Sequence, residues 1–285
     1  MGPAQHPRPA ARGLFARAID ESGGGWGPYW TTAEAEQAGS TLARQAGAPT
    51  GADAAALRAL PVSALLAAEQ PFIGAAIDGR LVPAAPAQAF AAGREAPVPL
   101  LIGSNNGEDS QLGNSDPAEV LKDYTADQVA ALRRAYGAEA TDDAMLGRLI
   151  FRDAYFGGPA RWFAAQHAAR APTFLYAFDY VPTVLRARRP RAGHGFEMLF
   201  AFEALSRAPI PLLALGADPA EMTVVHACWA GFVEGDATPC RVAADWTAYS
   251  PRADQAMRFT ADGARLEPTP DAAAKDVLAA IVLKP

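Results

Sequence analysis

Pro97-Val98-Pro99-Leu100-Leu101-Ile102-Gly103-Ser104-Asn105-Asn106-Gly107-Glu108-Asp109 (97–109) passes from an unbroken apolar run into a polar, glycine-containing turn. A continuous apolar run, unlike an alternating one, is what a strand covered on both faces shows, and such strands belong to parallel sheets flanked by helices. The turn from Ser104 to Ser110 then falls at the carboxyl end of that strand, where open α/β sheets collect ligands and reactive groups. A carboxylate placed there can orient a histidine and stabilise its imidazolium form. Taken alone, Glu108 also reads as an ordinary solvated acid.

The flanking sequence supports the same architecture. Residues 1–12 are rich in Pro, Ala and Arg without periodicity and read as a disordered leader, leaving 13–285 as the folded unit. Leu14 to Ile19 reads as a buried strand that stops in Glu21-Ser22-Gly23-Gly24-Gly25. Thr31 with Glu34 forms a capping box for a helix reaching about Gln45, and two short helices fit 52–60 and 62–69 around Pro61. A helical block is expected from Pro117 to Ala169, with Thr125 and Gln128 as a second capping box and Pro159 in the first turn of its last helix. Thr173 to Tyr180 reads as a strand, Pro219 to Glu234 as a helix, and Met257 to Leu266 as a hairpin turning at Asp262-Gly263. Strands alternating with helices predict an α/β fold with a largely parallel sheet.

A second polar element is Gly193-His194-Gly195-Phe196-Glu197. Flanking glycines leave the imidazole approachable, and an unperturbed pKa near 6.5 suits general acid–base work; a turn histidine with no task is the other reading. His6 lies in the leader, and His167 and His226 fall on helices, where packing or exposure accounts for them.

Composition excludes several classes. The net charge is −6 with both signs interspersed, so no basic stripe for nucleic acid is present. The one basic run, Arg186, Arg188, Arg189 and Arg191, is short, interrupted by Pro190, and reads as a solvated loop. Cys228 and Cys240 are the only cysteines; a single disulfide is possible, but two free thiols in a reducing cytoplasm are expected. No apolar run approaches the ~20 residues of a membrane span, and the N-terminus has no signal-type apolar core. With Glu108 and His194 as the only candidate ligands, neither a metal nor a cofactor is expected.

Taken together, these blocks resemble type-B carboxylesterases, the family that includes the cholinesterases. Gly13-Leu14-Phe15…Ala18-Ile19…Ser22-Gly23 is similar to its "GLF..AI..SG" block, and Asp78-Gly79…Pro83…Gly93…Val98-Pro99-Leu100-Leu101-Ile102-Gly103 to its "DG..lP…G…vPlliG" block. Asn105 to Asp109 resembles "N.DEG", which places the triad acid on Glu108. Gly193-His194-Gly195…Glu197 resembles "HG.E", which places the triad histidine on His194. Phe232…Gly235-Asp236 and Trp246…Tyr249 resemble two later blocks. The order is kept from residue 13 to about 250. The chain departs from the pattern at Gly107, where the family has Asp, at Asp109, where it has Gly, and at Thr247, where it has Pro.

The resemblance implies an α/β-hydrolase fold, a serine esterase acting on a small-molecule ester, and Ser22 as a hydrogen-bonding neighbour of Glu108. Glu197 would tie down the histidine loop. It also implies a nucleophilic serine in a G-x-S-x-G elbow upstream of the "GLF" block, and a glycine-rich oxyanion loop earlier still. Neither motif occurs in the 285 residues. The sequence is therefore expected to be a C-terminal portion, an incomplete α/β-hydrolase domain with a bare sheet edge, inactive alone, and requiring an N-terminal half as partner. The alternative expectation is a non-catalytic interaction module built on the same fold.

Overall fold

The computed structural model describes residues 11–27, 29–68, 75–204, 219–241 and 245–283; most of the leader, with His6, lies outside them. In chain order the elements are β1 (Ala18–Glu21), β2 (Trp30–Thr31), α1 (Thr32–Gln45), α2 (Ala54–Arg58), α3 (Val62–Ala67), β3 (Ala76–Ile77), α4 (Pro86–Ala91) and β4 (Leu100–Asn105). Then follow α5 (Ala126–Tyr136), α6 (Asp143–Arg152), α7 (Gly158–His167), β5 (Thr173–Phe178), α8 (Thr183–Arg186), α9 (Met198–Ala201), α10 (Pro219–Glu234), β6 (Gln255–Thr260), β7 (Gly263–Pro268) and α11 (Ala272–Val282). Both capping boxes form, Thr31 with Glu34 and Thr125 with Gln128.

Five strands make one sheet in the order β1-β4-β5-β6-β7, parallel except for the closing β6–β7 hairpin. The apolar run quoted first explains its layering. Leu100 and Ile102 face one side with Leu175, under Leu132, Leu146, Ile150, Phe163 and Leu278 of α5, α6, α7 and α11. Leu101 faces the other with Phe174, Tyr176, Phe178 and Phe259, under Val225, Trp229 and Phe232 of α10. Alternate residues of β4 and β5 thus bury on opposite faces, the signature of a sheet covered on both sides. β1 is the outermost strand, with no further neighbour among the described residues.

Four expectations need correction. The first strand is Ala18–Glu21 and not 14–19; Leu14 is exposed, and the ladder instead takes in Asp20 and Glu21 against Ile102 and Gly103. β4 likewise runs two residues past Gly103, because Ser104 and Asn105 continue the ladder opposite Ala177 and Phe178. The cysteines are not free: Cys228 and Cys240 form a disulfide. The turn after α10 reverses the chain through bonds from Gly235 and Asp236 to the Gly231 carbonyl, and so folds Cys240 back onto the helix. That pairing removes the argument for a reducing compartment. Finally, the arginine run is not wholly solvated, since Arg191 is half-buried and ion-paired and Arg186 bonds the Val181 carbonyl.

Between α6 and α7 a single π-helical turn, Asp153–Gly157, keeps the backbone helical while shifting its face. Such turns occur often where a helix serves a site. It is pinned by a buried cluster: Asp153 accepts from Arg152 at 2.6 Å and from the Tyr136 hydroxyl at 3.0 Å, and Arg152 also reaches Asp271. Burial alone would raise the Asp153 carboxyl, but Arg152 and Lys275 outweigh it and hold it below its ordinary value.

Candidate active site

The end of β4 delivers the acid. After Asn105 the chain turns into a 3-10 segment, Glu108–Leu112, and the Glu108 side chain folds back under it, fully buried. Its Oε1 accepts from the Asn105 backbone N–H at 2.8 Å and from the Ser22 hydroxyl at 2.6 Å. Ser22 reaches it because β1 ends one strand away and Ser22 adopts a left-handed φ of 57° there, its N–H bonded to the Gly103 carbonyl at 2.9 Å. The other oxygen, Oε2, lies 2.6 Å from His194 Nδ1. Two bonds to one oxygen and the imidazole on the other leave the carboxylate a single orientation.

The histidine comes from an irregular loop, so its position must be imposed by neighbours. Gly107 N–H donates to the Ala192 carbonyl and Ala192 N–H to Asn106 Oδ1, both at 2.8 Å. Asn105 Nδ2 donates to the Gly193 carbonyl at 2.8 Å and to Glu197, and Ser110 Oγ accepts from the His194 N–H at 3.0 Å. Asp109, also buried, accepts from Arg191 of this loop and from Arg148 of α6, each at 2.9 Å. The two loops meet so closely that a Cβ on Gly107 would stand 2.5 Å from the Ala192 oxygen. The Gly107 and Asp109 departures therefore belong together: one lets the backbones dock and the other ties the docked loop down.

The electrostatics follow from burial. The hydrogen bond to Glu108 raises the His194 pKa above its ordinary value, against the opposing pull of burial. Burial pushes the Glu197 carboxyl up to about 7, with the Asn105 amide offsetting part of the effect. Asp20, two residues before Ser22, is likewise pushed up to about 7 by burial. The phenol of Tyr176 is raised well above its usual range by burial and by the surrounding carboxylates.

All four residues singled out from the sequence therefore come together: Glu108, His194, Ser22 and Glu197. The other two histidines among the described residues stand apart. His167 is fully buried, with Nδ1 on Glu95 at 3.1 Å and Nε2 on the Val98 carbonyl at 2.8 Å, and His226 bonds the Ala201 carbonyl. Among the described residues no group of His, Cys, Asp and Glu could hold a metal ion. Sequence reasoning missed Asn105 as a bridge between the loops, the anchors Ser110 and Asp109, and Phe156. The Phe156 ring, carried by the π-helical turn, lies 5.2 Å from the imidazole. Nothing in the local pattern marks Phe156 or Arg148, which arrive only through the packing of α6 and the turn after it.

A model of the carboxylesterase family matches residues 4–277, nearly the whole chain. The chain belongs to the carboxylesterase family. Within it, the chain is 29% identical over 245 residues to the fumonisin B1 esterase of Sphingopyxis macrogoltabida, covering 79% of this chain and 44% of that protein. It is 29% identical over 268 residues to the para-nitrobenzyl esterase of Bacillus subtilis, covering 85% and 52% respectively. This carboxylesterase-family chain thus spans about half the length of the curated relatives it matches. Its fold resembles a solved carboxylesterase of Geobacillus stearothermophilus with a TM-score of 0.78 at 23% identity, covering 97% of this chain and 61% of that one. The sheet and its flanking helices are those of the α/β-hydrolase fold. No helix among the described residues is long and apolar enough to cross a membrane.

Proposed function

We propose that this chain carries the acid–base part of a serine carboxylic ester hydrolase, with His194 as the general base and Glu108 as the acid that orients it. The observation that carries the reading is the 2.6 Å contact between Glu108 Oε2 and His194 Nδ1, made by a fully buried carboxylate to a partly exposed imidazole. With the Nδ1 proton fixed on Glu108, the basic lone pair is confined to Nε2, which meets no partner among the described residues. That nitrogen takes the proton of a serine hydroxyl as the serine attacks an ester carbonyl, and returns it to the leaving alcohol. Water then hydrolyses the acyl-enzyme by the same relay. Ser22 and the Asn105 backbone N–H keep Glu108 aimed, while Glu197 ties the histidine loop to Asn105 and takes no proton from the substrate.

No G-x-S-x-G occurs in these 285 residues. In this reading the serine and the oxyanion donors are contributed by residues outside them, and the 285 residues alone lack the largest contributions to catalysis. A purely interaction-bearing module has no use for a buried carboxylate held by three hydrogen bonds against an accessible imidazole, which favours the esterase reading.

The test is hydrolysis of p-nitrophenyl butyrate by the 285-residue chain, and by the chain extended through whatever coding sequence precedes it. Turnover is expected only when a G-x-S-x-G segment is included, and His194→Ala should then cut kcat by about 10³-fold or more. Ordinary esterase rates from the 285 residues alone, or full activity in His194→Ala, would overturn the proposal.

A further inference from the structure

The arginine run has no part in the acid–base pair, yet it borders it. A cavity of about 120 Å³ lies against the imidazole, with Arg189, Arg191 and Ser110 among its walls and Val181, Leu185 and Phe196 supplying apolar surface. We propose that this cavity is a carboxylate subsite, so that the ester handled at His194 carries a free carboxylate besides its ester group. The inference rests on the esterase reading above and names the substrate class for it.

Charge counting supports it. Of the four arginines between 186 and 191, Arg186 is taken up by the Val181 carbonyl at 2.7 Å and by the Tyr180 ring. Arg191 is paired to Asp109, which it shares with Arg148, and Glu139 acts on it as well, so its charge is answered within the fold. Arg188 and Arg189 meet no carboxylate among the described residues. The cavity wall therefore holds one guanidinium with no carboxylate among the described residues, that of the exposed Arg189, in position to turn toward an anion.

The negative groups of the site do not cancel it. Glu108 and Glu197 are buried and held by Ser22, Asn105 and His194, whereas Arg189 is exposed. Ser110 adds a neutral donor. Its oxygen accepts from the His194 N–H, which leaves its own proton to give to an incoming anion. The space equals about four water molecules at roughly 30 Å³ each, room for a carboxylate and a short stem against the apolar walls. A planar guanidinium matches a carboxylate in two parallel hydrogen bonds, the geometry in which such pairs are strongest.

The experiment follows the imidazole Hε1 resonance of His194 by NMR, assigned by its loss in His194→Gln, during titration with monomethyl succinate and, separately, with neutral dimethyl succinate. The monoester should shift the resonance saturably and the diester should not. Arg189→Gln, a change at an exposed side chain, should weaken the monoester about tenfold, and Arg189→Lys should recover most of the loss. Raising salt from low to physiological strength should weaken binding several-fold. An equal response to both esters, or unchanged affinity in Arg189→Gln, overturns the subsite. The two proposals fail separately: a monoester that does not bind, in a protein whose hydrolysis needs His194, sinks only the subsite. Tight monoester binding without His194-dependent hydrolysis sinks only the esterase reading.

Discussion

Two histidine–glutamate pairs flank β4, one at each end. At the entrance, Glu95 meets His167 at 3.1 Å; at the exit, Glu108 meets His194 at 2.6 Å. The residue types are identical and both glutamates are fully buried. The difference lies in the second ring nitrogen. His167 Nε2 donates to the Val98 carbonyl, and the ring is wholly enclosed with Arg170 also on the carboxylate, so the pair holds α7 to the start of β4. The His194 side chain is 36% exposed and only its Nδ1 is engaged among the described residues. A His–Glu contact by itself therefore identifies nothing. An imidazole with one nitrogen fixed and the other open is what chemistry requires, and the carboxyl end of a parallel strand is where the fold provides it.

Exchanging the roles of the two pairs is the sharpest way to break this comparison. In the catalytically competent protein, His194→Ala should lower kcat by about 10³-fold or more with little change in melting temperature. His167→Ala should leave kcat within a few-fold while costing about 2–4 kcal/mol of stability, because it empties a fully buried ring site and takes away one of the two partners of Glu95, leaving it Arg170 alone. Kinetics and thermal melts on the two variants separate these outcomes; a large kcat loss in His167→Ala would erase the distinction.

A milder pair of changes probes the carboxylates. Glu108→Gln keeps the shape but removes the charge that holds the imidazole, and kcat should fall about 10²- to 10⁴-fold. Glu95→Gln should cost roughly 1–3 kcal/mol in denaturant unfolding and spare turnover.

An effect that emerges only as pH is raised concerns Glu197, a further buried carboxylate near the exit. Because the Glu197 carboxyl is raised in the folded protein to about 7, the stability it contributes is fully present below its ordinary value near 4.5 and is lost as pH rises through 7. Glu197→Gln should flatten that fall. The variant should be more stable than the parent at pH 8 by about 2–3 kcal/mol, and indistinguishable near pH 4.5. Denaturant midpoints across this range check it, and parallel curves for the two proteins would refute the assignment.

Much of this was legible in the residues because local rules agreed with the global ones. The unbroken Leu100-Leu101-Ile102 run announced a doubly covered strand, and the capping boxes at Thr31 and Thr125 marked helix starts that the fold keeps. Glu108 and His194 were readable because their loops carry glycine and family-like spacing. The first strand was misplaced because its apolar end, Leu14-Phe15, lies outside the ladder, while Asp20 and Glu21 complete it. Polar residues at the carboxyl end of a strand look like turn. Pairing of Cys228 with Cys240, the Arg191–Asp109 tie and the placement of Phe156 all depend on chain reversals and helix packing. Such contacts between distant segments leave no periodic trace.

The most direct test of the central claim, that Glu108 holds His194 as a base, is the NMR titration of the His194 imidazole in the parent chain and in Glu108→Gln. The parent should titrate above 6.5, because the bond to Glu108 outweighs burial, and the variant should fall to or below that value. Identical titrations in the two proteins, or a parent value below 6.5, would contradict the account.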